Sequence, residues 1–159
     1  MNDAQNLRTI ELSTKHLFDM VVNLESPLIV GNVPKGNRQI MISTGGEFKG
    51  AKLKGEILPH GADWFLTRPD HVGELDVRVT LKTDDGALIY MRSEGYLKFS
   101  REVAKRVLSG IADPAEYYLR ERTLFETESE SYEWRNSVIG IGTGWYAKNQ
   151  VGMSIYEVC

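Results

Sequence analysis

The stretch from Glu74 to Tyr96 constrains the fold more than any other part of the chain. Two runs of alternating apolar and polar residues flank Asp84-Asp85-Gly86. A three-residue loop ending in glycine is a hairpin connection, because glycine can take the left-handed conformation that closes a bulged turn. With Thr83 opposite Ala87, Val79 faces Met91, Leu81 faces Ile89, Arg78 faces Arg92 and Thr80 faces Tyr90. The period of two then separates the faces: one is apolar throughout, and the other carries Asp76, Arg78, Tyr90, Arg92 and Glu94. A two-residue loop would shift the register and mix them, so both faces rest on the turn.

Similar short runs recur along the chain, punctuated by many of its 15 glycines. Leu17–Val22 reads as an opening strand, ended by Ser26-Pro27, and the turn-rich stretch Gly31–Arg38 reads as a loop. Gln39–Ser43 is strand-like, Gly45-Gly46 forces a break or a bulge, and Lys52–Leu58 returns as a strand in which Gly55 admits a close backbone. The one credible helix is Ser100–Leu108, with Ser100 as N-cap and Gly110 just past its end. Asp113-Pro114 is a second helix-start or turn signal. Tyr117–Glu126, Tyr132–Ile141 and Val151–Val158 supply closing strands. No strong parallel βαβ signal is present. The expectation is an all-β, antiparallel, closed or nearly closed barrel of about eight to ten strands with one short peripheral helix, because closure removes exposed edges. A two-sheet sandwich is the alternative.

The length of 159 residues fits one domain with a sizeable core. With 19 basic against 22 acidic residues and no dense Lys/Arg run, a nucleic-acid partner is not expected. The one cysteine, Cys159, allows neither an intrachain disulfide nor a cysteine-based zinc site, which suits a reducing compartment. Met1–Ile10 is polar and no apolar run reaches membrane-spanning length, so a cytoplasmic protein without a membrane partner is expected. His16, His60 and His71 lack metal-ligand spacing, and neither a metal nor a cofactor is expected. Gly140-x-Gly142-x-Gly144 has the look of a dinucleotide fingerprint, but a strand-like segment follows where a helix would have to begin. These glycines instead suit a strand that lets a bulky neighbour close in. No nucleophile elbow is present, and covalent serine or cysteine catalysis is not expected.

Gly45-Gly46-Glu47-Phe48-Lys49-Gly50, Pro59-His60-Gly61-Ala62-Asp63-Trp64, Leu75-Asp76-Val77-Arg78 and Thr83-Asp84-Asp85-Gly86-Ala87-Leu88-Ile89-Tyr90 carry a family resemblance. With Tyr117-Tyr118-Leu119-Arg120, Tyr132-Glu133-Trp134 and Gly142-Thr143-Gly144, they resemble a bacterial and fungal family of small β-barrel proteins known as a conserved domain of unknown function. The resemblance covers most of the chain and implies a compact barrel of about this length, without a settled substrate or reaction. This chain departs from the family pattern in placing His60 at a glycine position. That puts a titratable ring beside Asp63, or merely fills a permissive loop site.

Two clusters are candidates for chemistry. Asp63, Trp64 and Arg68 converge at a strand end in one reading, as a ligand rim of carboxylate, flat apolar wall and guanidinium clamp. In the plainer reading Asp63 caps a turn, Trp64 is core and Arg68 is solvated. Asp76, Arg78 and Tyr90 share a face, which either lines a barrel lumen, where Asp76 would act as general acid/base and Arg78 would hold an oxyanion, or is a solvated outer surface. Glu126 and Tyr132 are further acid/base candidates. Phe48, His60, Tyr118 and Trp134 complete the candidate binding set.

Three functions follow. The first is a cofactor-independent isomerase, cyclase or lyase acting by proton transfer on a small apolar or aromatic carbonyl compound in the barrel. The second is a non-catalytic carrier or sensor of a hydrophobic molecule, which needs the same cavity without a carboxylate of raised pKa. The third is a structural protein with a filled barrel and an apolar outer face that assembles homo-oligomers.

Overall fold

The computed structural model describes residues 9–159. Eleven strands form one antiparallel sheet: β1 (Thr14–Leu24), β2 (Leu28–Val33), β3 (Gly36–Lys49), β4 (Lys54–Ile57), β5 (Ala62–Asp63), β6 (Leu66–Thr67), β7 (Gly73–Thr83), β8 (Leu88–Phe99), β9 (Tyr117–Glu126), β10 (Gly140–Ala147) and β11 (Gln150–Val158). The sheet closes because β1 pairs with β11 along one edge and with β3 along the other. Between β3 and β7, three short pieces share one position in the wall: β6, β5 and β4 each pair with both neighbours. The result is an eight-stranded barrel in which β2 lies outside the ring, bonded only to β3. The sandwich alternative is thereby excluded. Among the described residues no helix is long and apolar enough to cross a membrane.

The central hairpin has the expected register. Thr83 N–H donates to the Ala87 carbonyl at 2.9 Å, and Val79 pairs with Met91, Leu81 with Ile89, Arg78 with Arg92 and Thr80 with Tyr90. Gly86 sits at φ +90°, where a side chain would be strained. The apolar face points inward: Leu81 and Ile89 are fully buried beside Phe18, Phe48 and Ile155. The Phe18 ring meets Phe48 and Phe125 edge-on at centroid distances of 5.6 and 6.1 Å, filling one end of the barrel with the interlocking geometry aromatic rings prefer. Burying each of these large side chains contributes roughly 1.5–3 kcal/mol, which fixes which side of the wall faces in.

Three elements depart from the sequence reading. Gly31–Arg38 is not a loop: it lies in the β2–β3 hairpin, whose turn is confined to Pro34-Lys35. The helix, α1 (Ala104–Leu108), starts later than Ser100 and has no side-chain cap; Gly110 does end it, at φ +68°. Tyr132–Ile141 is not a strand through most of its length. Glu133–Ser137 is a single helical turn that crosses the filled end as a floor, and pairing resumes only at Gly140. Here tertiary burial of Arg135 overrides the strand propensity of the aromatic and β-branched residues around it. Elsewhere the sequence signals hold. Gly45-Gly46 lies beside a bulge, where the β1–β3 register shifts between Asn23 and Leu24. A side chain at Gly55 would strike the Lys82 carbonyl, the close backbone approach expected there.

Candidate functional site

Opposite the filled end the barrel is hollow. A cavity of about 690 Å³ is walled by Met20, Val22, Leu75, Val77, Val79, Met153 and other apolar side chains, with α1 across part of its opening. Two carboxyl groups, Asp63 and Glu121, line it.

Asp63 enters from β5, whose residues pair with Met41 of β3 and Val77 of β7. One carboxylate oxygen accepts the backbone N–H of Asp76 at 2.9 Å. Burial pushes the carboxyl up to about 7, and the nearby Asp76 charge adds to the rise. The Asp76 N–H and the charge of Arg38 act in the other direction without overcoming it.

Glu121 comes from β9, whose side chains alternate strictly between inside and outside. Its inward set is Tyr117, Leu119, Glu121, Thr123 and Phe125, and Glu121 is only 6% exposed. The Thr123 hydroxyl donates to it at 3.5 Å and lies 2.8 Å from the Ser93 hydroxyl. Burial again pushes the carboxyl up to about 7, with the Asp63 charge adding to the rise and the Ser93 and Thr123 hydroxyls opposing it. Room for Glu121 comes from β10, where a methyl group at Gly142 would stand 2.6 Å from the Glu121 Cγ. Gly144 gives way in the same manner to Met153, so the spaced glycines accommodate bulky neighbours, as their strand setting suggested.

Neither carboxyl forms an ion pair within 4.0 Å among the described residues. Such a pair can hold one proton between two groups, offering an acid and a base in the same apolar space.

Of the residues singled out from sequence, Asp63 alone lines this cavity. Asp76, Arg78 and Tyr90 lie on the outer face of the wall, which corrects the lumen reading: the hydrophobic effect turns the hairpin's apolar face inward even where the barrel is hollow. The outer group is nevertheless ordered. Arg78 pairs with Asp76 at 3.0 Å and stacks 5.1 Å from the ring of Trp64, which is 36% exposed and therefore not core. It stands directly behind Asp63, bound to it through the Asp76 N–H. Arg68 is tied to Asp70 and Glu74 near the cavity mouth. His60 is exposed and occupies a turn at φ +85°, the left-handed conformation a glycine would adopt without strain. Tyr118 and Glu126 are exposed on β9, Tyr118 lying between Lys98 and Arg120.

The remaining candidates belong to the filled end. Phe48 is core. The Tyr132 hydroxyl donates to both carboxylate oxygens of Asp85 at 3.2 Å. Trp134 lies 4.2 Å from the guanidinium of Arg135, a residue 1% exposed that also faces Phe18 and Phe125. Sequence reading missed both Glu121 and Arg135. Glu121 had a visible signal, being the only charge in an otherwise apolar and hydroxylic parity of β9. Arg135 had none beyond its aromatic neighbours.

These features define a class: small closed β-barrels filled at one end and hollow at the other, with protonatable carboxyls on the inner wall. More particularly, the chain belongs to the family described as protein of unknown function (DUF3237), whose model matches residues 12–158. A UPF0311 protein of Rhodopseudomonas palustris, RPA1785, is 30% identical over 151 residues, covering 94% of this chain and 99% of its own. Its crystal structure superposes with a TM-score of 0.90 over 95% of this chain and all of the other. A β-barrel like protein of Acinetobacter baumannii is 32% identical with a TM-score of 0.83, over 96% and 99% of the two chains. A protein of Penicillium herquei described as an enzyme shares the fold at 20% identity, with a TM-score of 0.75 over 97% of this chain and 99% of its own.

Proposed function

We propose that this protein is a cofactor-independent enzyme of the isomerase, cyclase or lyase type, acting by proton transfer on a small apolar or aromatic carbonyl compound held in the barrel. The observation that carries this reading is the pair Asp63 and Glu121, both raised to about 7 by burial in an apolar cavity of about 690 Å³. A space of this size suits one small organic molecule. Near neutral pH one carboxyl of the pair is ionised and takes a proton from the carbon beside the carbonyl. The other, still protonated, donates to the carbonyl oxygen as charge develops there. Returning the proton at a different carbon gives isomerisation; expelling a leaving group gives elimination. Asp76 serves as a positioning residue, its N–H holding the Asp63 carboxylate from behind. A non-catalytic carrier needs the same cavity, but it does not need two carboxyls tuned to neutrality. The Penicillium herquei barrel is described as an enzyme, which agrees with this reading while its likeness carries the fold alone.

Proton abstraction is testable before the natural substrate is known. Small aryl ketones incubated with the protein in deuterated water should gain deuterium beside the carbonyl faster than in buffer, with a rate maximum near neutrality. Asp63→Asn and Glu121→Gln should each remove the excess rate. Ketones that NMR shows inside the cavity but that exchange no faster than in buffer would overturn the reading.

A further inference from the structure

The cavity holds two carboxyl groups, and among the described residues no cation lies within ion-pair distance of either. Asp63 on β5 is faced by Arg38 from β3, by Asp76 from β7 and by Glu121 from β9. Arg38 gives its guanidinium to the Trp64 carbonyl and forms no ion pair with Asp63. Glu121 is faced by the uncharged Ser93 on β8, by Thr123 on its own strand and by Gly142 on β10. Three further ionisable side chains line the cavity: His71 and Arg101, both exposed to solvent at its mouth, and the half-buried Tyr146 from β10.

An ionised carboxylate in apolar surroundings is costly unless an opposite charge or several donors meet it. A neutral guest leaves the two groups holding a proton. An anionic guest adds a third like charge. A guest bearing an ammonium pairs with the one carboxyl that is ionised near neutral pH, through charge-assisted hydrogen bonds about twice as strong as neutral ones, and leaves the other protonated as the acid, while its apolar body occupies the space lined by Met20, Val22, Val79 and Met153. We infer that the compound bound in this barrel carries a protonated nitrogen on an apolar or aromatic body, so that the substrate class is a lipophilic amino ketone. This inference rests on the cavity being the binding site, and it adds a charge requirement that proton-transfer chemistry alone does not impose.

Binding and proton release are then coupled. Ammonium binding needs one ionised carboxyl, so affinity rises with pH through neutrality and levels off above it. Three probes of one shape separate the possibilities: phenylpropylamine, phenylpropanol and phenylpropanoate, titrated calorimetrically against the intact protein. At about pH 7.5 the amine should bind about tenfold or more tighter than the alcohol, with the acid weakest. Between about pH 7.5 and 5.5 the amine should lose about twentyfold in affinity while the alcohol changes little. Glu121→Gln and Asp63→Asn should abolish the preference for the amine yet retain the alcohol, which shows that the cavity is intact. Alcohol binding as tight as amine binding, an amine affinity independent of pH, or no binding by any probe at millimolar concentration would each overturn the inference. Deuterium exchange into ketones that persists alongside any of these results leaves the proton-transfer reading standing and removes the amine requirement alone.

Discussion

Replacing Glu121 by glutamine should change how stability depends on pH, in a direction fixed by the sign of its shift. Glu121 is raised from 4.5 to about 7, chiefly by burial. Its native form therefore holds a proton at pH values where the unfolded chain has released it. The contribution from this group is complete below the unfolded pKa and is lost as pH climbs through about 7. A shift of this size corresponds to about 3 kcal/mol, of which about 2–3 kcal/mol falls between pH 5 and pH 8. Glutamine fills a similar volume, donates and accepts as the protonated acid does, and cannot ionise. Urea unfolding of both proteins at pH 5 and pH 8 isolates the effect, because groups not coupled to Glu121 cancel in the comparison. The wild-type protein should lose about 2–3 kcal/mol more than Glu121→Gln on going to the higher pH. Equal losses would refute the claim that Glu121 sits protonated in an apolar wall, and with it the acid/base pair.

Other substitutions probe the rest of the fold. Arg135→Leu should stabilise the protein by about 1–3 kcal/mol, seen as a higher Tm, because the guanidinium is 1% exposed, its three nitrogens have no hydrogen-bond acceptor among the described residues, and its contacts with three aromatic rings offset only part of that cost. Burial lowers its pKa to about 10, so it stays charged at neutral pH, and a lower Tm for the leucine variant would contradict this account. Gly142→Ala should displace the Glu121 side chain and remove deuterium exchange with a smaller effect on folding, since the added methyl meets the flexible Glu121 and Met153 side chains before any backbone atom. A crystal structure of that variant with Glu121 unmoved would count against it. Gly86→Ala should cost about 1 kcal/mol in urea unfolding, because the position lies at φ +90° with open space around it and the penalty is purely conformational.

The hairpin, the bounds of β9 and the yielding glycines of β10 were legible because each depends on local rules of turn chemistry and period two. Side of the wall was not legible in the same way. Alternation at Asp76, Arg78 and Tyr90 shows that two faces exist, but period two alone does not say which of them lines a hollow barrel. Burial of Leu81, Ile89, Val79 and Met91 decides the opposite. That Asp63 and Glu121 line one cavity brings β5 together with β9, more than fifty residues apart, and no local pattern announces it. The Glu133–Ser137 turn failed for a related reason: its conformation is set by the barrel end it closes, not by its own propensities.

The division of the barrel into a packed half and a vacant half separates two kinds of selection. Side chains around Phe18, Leu81 and Ile155 answer for cohesion alone, whereas those around Asp63 and Glu121, Met20, Val79 and Met153 among them, belong to the same core and also meet whatever enters. With the packed half holding the scaffold, size-conserving substitutions at the open half can reshape ligand choice, so relatives sharing this architecture can diverge in the molecules they accept long before they diverge in shape.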